Sequence, residues 1–251
     1  MPTALITGSS AGLGRALATE LAARGWDLVL TARGRSALAD VSRSLTASTS
    51  RGGAAVHAVA GDVADPGHRA ELVRQIGRRG NLDLLVNNAS TLGPTPLRPL
   101  SGWQPDELDD VLRVNFIGPF ALSTALLPAL AAARGTVLSI SSDAAVEHYP
   151  GWGGYGASKA ALDHLTLTFG VENIDIACYA VDPGDMRTAM QQAAFPGEDI
   201  GDRRRPEEVV PALLDLITAR PASGRYRVDG QRAIPDRAPE PTGLTTAVPA
   251  R

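Results

Sequence analysis

Tyr155 and Lys159 stand four residues apart in the run Gly154-Tyr155-Gly156-Ala157-Ser158-Lys159-Ala160-Ala161, a pairing able to move a proton. On a helix, residues four apart share one face, with Cβ atoms about 6 Å from each other. A phenol with an ordinary pKa near 10 is a poor acid or base at neutral pH. A neighbouring ammonium favours the phenolate and lowers that pKa. Many helices carry such a pair by chance, so its meaning rests on what lies upstream. Ser142 sits thirteen residues before the tyrosine and Asn115 forty before it. A glycine-rich turn, Thr7-Gly8-Ser9-Ser10-Ala11-Gly12-Leu13-Gly14, follows the first apolar run. Glycine permits a tight turn and lets the backbone approach a pyrophosphate closely. Free amides at the start of the following helix then face the phosphates.

At these separations the set resembles the short-chain dehydrogenase/reductase family, over roughly Thr3 to Gly230. The resemblance implies an NAD(P)-dependent oxidoreductase in which Tyr155 protonates a carbonyl oxygen, or deprotonates an alcohol in reverse. It implies that Ser142 holds the substrate oxygen, with Ser141 as the alternative if the loop is shifted. Lys159 would also bind the nicotinamide ribose, and Asn115 would place a water that continues the proton relay; capping or kinking its own helix is Asn115's plainer role. Thr7, Gly8, Ser10, Gly12, Leu13 and Gly14 match the family's nucleotide fingerprint, and Asp62-Val63 its adenine pocket. Asn88-Ala89 match a sheet-stabilising turn, followed by Ser90 where glycine is usual, a change expected to alter one backbone angle. Pro183-Gly184 and Thr188 match a turn facing the nicotinamide and a threonine near its carboxamide. Gln231 departs from the usual Val-Asp-Gly-Gly end.

Cofactor choice turns on Leu30-Thr31-Ala32-Arg33. An acidic residue at the end of the second strand binds a ribose 2′-hydroxyl, whereas a nearby arginine accommodates a 2′-phosphate. Here the acidic position falls on Ala32, and Arg33 follows with a guanidinium able to fork onto phosphate. NADP(H) is therefore expected over NAD(H); the plain alternative has Arg33 capping a surface loop with Arg35.

The substrate cleft is expected to hold Tyr149 and Trp152 on one wall, with Met186, Met190 and Phe195 on a short lid spanning 185–205. Aromatic and thioether surfaces suit an apolar or planar ligand. No arginine or lysine lies between Ser142 and Tyr155 to clamp a carboxylate, although Arg187 can approach from the lid. A hydrophobic ketone is expected over a small keto acid. The run Arg203-Arg204-Arg205 reads as the solvated start of a helix.

The elements that must position these residues alternate between strand and helix. Apolar runs at 4–7, 28–31, 55–60, 82–87, 136–141, 174–181 and 224–228 suit strands covered on both faces. Helical spacing fills 14–24, 107–130, 158–169 and 206–219. The expected fold is α/β, a single-domain doubly wound parallel sheet of Rossmann type over 1–230, with a proline-punctuated, aperiodic tail over 231–251. A net charge of −3 offers no general pull toward nucleic acid or anionic membrane. No signal peptide precedes the first strand and no apolar stretch approaches a bilayer span, so a cytoplasmic protein is expected. Cys178 reads as a buried hydrophobe; His57 and His68 lie far from the motifs, His164 lies on a packing or interface face, and His148, placed near the cleft, reads as a solvated loop residue, with no metal-ligand spacing. By family resemblance a homodimer or homotetramer is expected, through apolar positions such as Phe116, Phe120, Leu162 and Leu165. The alternative from another class is a catalytically silent nucleotide-binding regulator or scaffold with the same fold.

Overall fold

The computed structural model describes residues 1–49 and 54–236. Seven parallel strands lie side by side: β1 (Thr3–Thr7), β2 (Asp27–Ala32), β3 (Val56–Ala60), β4 (Leu84–Asn87), β5 (Thr136–Ile140), β6 (Ala177–Asp182) and β7 (Gly224–Asp229). An eighth, β8 (Arg232–Pro235), pairs antiparallel with β7. The order β3-β2-β1-β4-β5-β6-β7-β8 reverses direction between β1 and β4. In open sheets of this kind the crevice at that reversal is where ligands bind.

The helices are α1 (Gly12–Ala23), α2 (Arg35–Thr49), α3 (Pro66–Gly77), α4 (Pro105–Leu112), α5 (Gly118–Ala133), α6 (Gly153–Glu172), α7 (Ala189–Ala194) and α8 (Pro206–Ala219). Successive strand residues point to opposite faces, and both faces are covered. Ala4, Ile6, Leu28 and Leu30 pack under α1, α2 and α8, while Leu5, Val29, Leu85 and Val137 pack under α3, α5 and α6. This double burial is why the strands read as unbroken apolar runs.

Two expectations are corrected here. The sheet does not stop at Gly230, because Gly230-Gln231 forms a two-residue hairpin loop joining Asp229 to Arg232. Such a loop needs a positive φ at its first position, and Gly230 supplies +59°. Gln231 can replace a second glycine because no positive φ is needed there. Pro235 ends the edge strand, a position that proline tolerates. The remainder of the expected tail, 237–251, lies outside the described residues. Second, the continuous helical run Pro105–Ala133 is by length and composition apolar enough to cross a membrane. Here Leu122, Leu126 and Leu130 bury against the sheet instead. The run contains a π-helical turn, Arg113–Ile117, where α4 passes into α5.

Candidate active site

α6 opens at the C-terminal end of β5, bringing Tyr155 and Lys159 under the loop that carries Ser142. The approach is close because Gly156 has no side chain: a Cβ there would lie 2.5 Å from the Ala144 carbonyl oxygen. Lys159 is 1% exposed and Tyr155 7%. The Lys159 ammonium donates to the Ile140 carbonyl at 2.7 Å and lies 5.5 Å from the centroid of the Tyr155 ring. The Ser142 hydroxyl donates to Asp143 Oδ1 at 3.0 Å and accepts from the Ala144 amide at 3.2 Å. Ser142, not Ser141, bears on the Tyr155 phenol. The Ser141 hydroxyl is buried without a hydrogen-bond partner among the described residues.

Burial governs the protonation of the pair. It pushes the Tyr155 phenol well above its ordinary pKa, with Asp182 and Asp143 adding to the rise and the Ser142 and Ser90 hydroxyls opposing it. The expected net lowering of the phenol by Lys159 does not occur in the protein alone. Desolvation of a phenolate outweighs the nearby ammonium when both groups are dry. Desolvation also lowers Lys159 to about 8, against the opposing pull of Asp163.

Asn115 lies in the π-helical turn, fully buried, and its side chain is occupied by structure. Its amide nitrogen donates to the Thr91 carbonyl and the Ser158 hydroxyl, both at 2.9 Å. Its oxygen accepts from the Thr91 amide at 2.9 Å and the Ser90 hydroxyl at 3.2 Å. It therefore ties the loop after β4 to α6. Ser90 does not take a positive φ, and its side chain makes a contact that glycine could not. Its hydroxyl donates to Asn115 and opposes the rise of the Tyr155 phenol.

The glycine turn faces the same space. Thr7 donates to the Val86 carbonyl at 3.0 Å and accepts from the Asn88 and Ala89 amides at 2.9 and 3.0 Å. The Asn88 side chain donates to the carbonyls of Thr7 and Gly8 at 2.8 and 3.1 Å, stitching the sheet across its reversal. The start of α1 has no side-chain cap, so its first amides stand free. A cavity of about 580 Å³ runs from Gly8, Gly12 and Leu13 past Asn88, Ala89 and Ser90 to Ser142, Tyr155 and Lys159. Pro183, Gly184 and Thr188 close its far side, and Thr188 caps α7 by accepting from the Gln191 amide at 3.2 Å. Tyr149, Trp152, Met186, Met190 and Phe195 all line it. Trp152 stacks edge-on to Tyr155 at 5.6 Å and lies 6.0 Å from Phe195.

Thr7, Ser10, Gly14, Arg33, Asp62, Val63 and Asn115 lie outside that lining. Arg33 is exposed immediately after β2, and Asp62 accepts from the Ala64 amide at 2.9 Å beyond β3. Arg187 donates to the Gly201 carbonyl and does not reach the cavity wall. Arg203 is not the solvated residue expected; it stacks over Phe195 at 5.1 Å. His148 is exposed and outside the cleft. His68 is buried against β2, with Nε2 at 2.7 Å from Thr31 Oγ1, nearer the motifs than its sequence position implies.

The sequence reading missed the carboxylates Asp143, Asp182 and Asp185 that line the cavity. It also missed Gln191, whose Nε2 is buried there without a partner. One available signal was overlooked: Lys159 is the sole lysine of the chain, against 23 arginines.

Comparison with known proteins agrees with this geometry. The family model described as short chain dehydrogenase matches residues 2–199. Sepiapterin reductase of Rattus norvegicus is 35% identical over 201 residues, covering 76% of this chain and 76% of the relative. Among solved structures, an alcohol dehydrogenase from Thermococcus sibiricus complexed with 5-hydroxy-NADP is 26% identical with a TM-score of 0.81, covering 94% of this chain and all (100%) of that one. A short chain dehydrogenase from Escherichia coli CFT073 complexed with NADPH is 29% identical with a TM-score of 0.83, covering 92% and 96%.

The packing of the glycine turn generates a first prediction. A Cβ at Gly14 would lie 2.5 Å from both Asn88 Nδ2 and the Gly8 carbonyl oxygen. Gly14→Ala is expected to cost about 1–3 kcal/mol through overpacking, despite its better helix propensity. Denaturant unfolding measures it, and an unchanged midpoint would refute the close approach.

Proposed function

Because this chain belongs to the short chain dehydrogenase family, we propose that it reduces an uncharged, apolar carbonyl compound with NADPH, or oxidises the corresponding secondary alcohol. The observation that carries this reading is the buried Tyr155–Lys159 pair opening into the cavity that begins at the uncapped amides of α1. The donor set fits a dinucleotide: free amides and the positive end of a helix dipole suit its phosphates, and Gly8 and Gly12 line the cavity beside those amides. When bound, NADPH supplies the hydride.

The protein's own residues handle the proton and the substrate oxygen. The raised pKa of Tyr155 keeps its phenol protonated and ready to donate to a carbonyl oxygen. Lys159, near 8, is chiefly an ammonium at neutral pH and favours the phenolate as it forms. Ser142 holds the same substrate oxygen, and Asn115 acts by holding the β4 loop against α6. A silent regulator has no need of this whole set.

Two features support an apolar carbonyl over a keto acid. Trp152, Met190 and Phe195 form an apolar wall around Tyr155. Asp143, Asp182 and Asp185 line the cavity while Arg187 is bound elsewhere, so a substrate carboxylate would meet only like charge beyond Lys159. NADP(H) is proposed over NAD(H) because Ala32 presents no carboxylate and exposed Arg33 follows it. A homodimer is proposed because Ile117 and Phe120 on the central helical run are 41% and 46% exposed. Leu162, expected at that surface, is instead buried within the chain. A cytoplasmic setting is consistent with the single free, buried cysteine.

Four experiments check these assignments. A panel of uncharged aryl ketones, planar diketones and small keto acids, followed by NADPH absorbance, should show turnover concentrated in the uncharged compounds. On the best of them Tyr155→Phe should lower kcat about 100-fold or more, with NADPH affinity held within a few-fold; wild-type rates in that variant would remove the proton donor. Ala32→Asp with Arg33→Ala should shift preference toward NADH by more than about tenfold, since each charge-assisted phosphate contact contributes about 1.5–3 kcal/mol. Equal NADH and NADPH affinity in the unmodified protein would take Arg33 out of that role. Light scattering at micromolar concentration should return a dimer mass, and a monomer mass would sink the proposed assembly.

A further inference from the structure

Arg225 projects from β7 toward the reaction centre, with its side chain only 10% exposed. Its Nε meets Asp163 Oδ2 at 2.8 Å and one terminal nitrogen donates to the Ser142 carbonyl at 2.9 Å. The other pairs with Asp236, just past β8, whose amide donates back to the Arg225 carbonyl at 2.9 Å. All three guanidinium nitrogens are thus engaged in one planar fork, a geometry that an ammonium cannot reproduce. Asp163 lies one helical turn beyond Lys159 and two beyond Tyr155, on the same face of α6. Its carboxylate is 9% exposed in the side chain, and Oδ1 has no hydrogen-bond partner among the described residues. Part of its charge is therefore unmatched in a dry setting, where charges act strongly on one another.

We propose that Arg225 and Asp163 form a buried charge layer beneath the reaction centre, in which Arg225 fixes the Ser142 loop and Asp163 supplies the counter-charge of Lys159. The role of Ser142 in this layer rests on the oxidoreductase reading above. Both are positioning residues, since neither lines the cavity. The ionisable groups around the pair are Lys159 and Tyr155 on α6, Asp143 after β5, Asp182 at the end of β6 and Asp236 past β8. Of these carboxylates Asp143 and Asp182 act on the phenol, whereas Asp163 is the one that sustains the lysine charge. The hairpin of β7 and β8 becomes part of the site, because Asp236 braces the guanidinium from the side opposite Asp163.

The sole lysine makes the test direct. Full-length protein labelled with ¹³C at lysine Cε should give one lysine signal, and its pH titration reports Lys159 alone. The wild-type midpoint is expected near 8. Asp163→Asn should lower it by roughly one unit, because an opposite charge has been removed, and Asp163→Glu should restore most of the shift. An unchanged midpoint in folded Asp163→Asn protein overturns the counter-charge role; if that variant does not fold, Asp163→Ser takes its place under the same criterion. Arg225→Lys keeps the charge and loses the fork, so kcat on the best carbonyl of the panel should fall about tenfold with NADPH affinity unchanged. Wild-type kcat in Arg225→Lys overturns the Ser142 role. Absence of turnover in the wild-type protein on every carbonyl would count against the oxidoreductase reading and with it the Ser142 role, while the lysine titration still decides the counter-charge role.

Discussion

A single buried ammonium organises this site. Moving a lysine head group out of water is costly unless carbonyl or carboxylate oxygens replace its hydration. Here the compensating groups come from two stretches of chain, the end of β5 and helix α6. The Ile140 carbonyl comes from the end of β5, the Tyr155 ring from one turn earlier on α6, and the Asp163 charge from one turn later. To deliver them, the start of α6 must press against the loop after β5, which the bare Cα of Gly156 allows. Ser142 is placed by that same contact. The burial that lowers the lysine also raises the phenol, so the two groups titrate closer to neutrality and farther from it, respectively, than they would in water.

The sheet provides the second constraint. Strand order reverses between β1 and β4, so the loops leaving them diverge and open a crevice. Thr7 and Asn88 bridge the two strand ends with backbone-directed hydrogen bonds, and they hold the glycine turn at the crevice floor. One cavity therefore joins the uncapped start of α1 to the buried Tyr155 and Lys159 of α6. Its charge is uneven, with carboxylates gathered near Tyr155 and free backbone amides at the opposite end. That division suits a ligand with phosphates at one end and an uncharged reacting partner at the other.

Much of this was legible because its causes are local. Period-two burial on a doubly covered sheet produces apolar runs, and the run at Leu28 to Thr31 became β2. The helix repeat puts Tyr155 and Lys159 on one face whatever surrounds them. What escaped reading arose from contacts between distant segments. Ser90 looked like a glycine substitute and proved to donate a hydrogen bond to Asn115 while opposing the rise of the Tyr155 phenol. His68 is 37 residues from Thr31 and touches it. The strand β8 is short and carries no alternation, and a single glycine with positive φ was enough to turn the chain into it.

The sequence by itself determined the α/β alternation, the glycine turn, and the spacing of Ser142, Tyr155 and Lys159, since short-range geometry and residue chemistry decide those features. Only the tertiary structure decided how those groups are charged. Desolvation depends on every element that covers a side chain, and Coulomb attraction depends on which distant residues fold beside it. The phenol rises instead of falling because the elements around it desolvate it, with Asp182 and Asp143 adding to the rise. Arg225, 83 residues from Ser142, reaches that loop only because β7 lies beside β6. Neither outcome is written in a spacing, because each follows from dielectric environment and three-dimensional proximity.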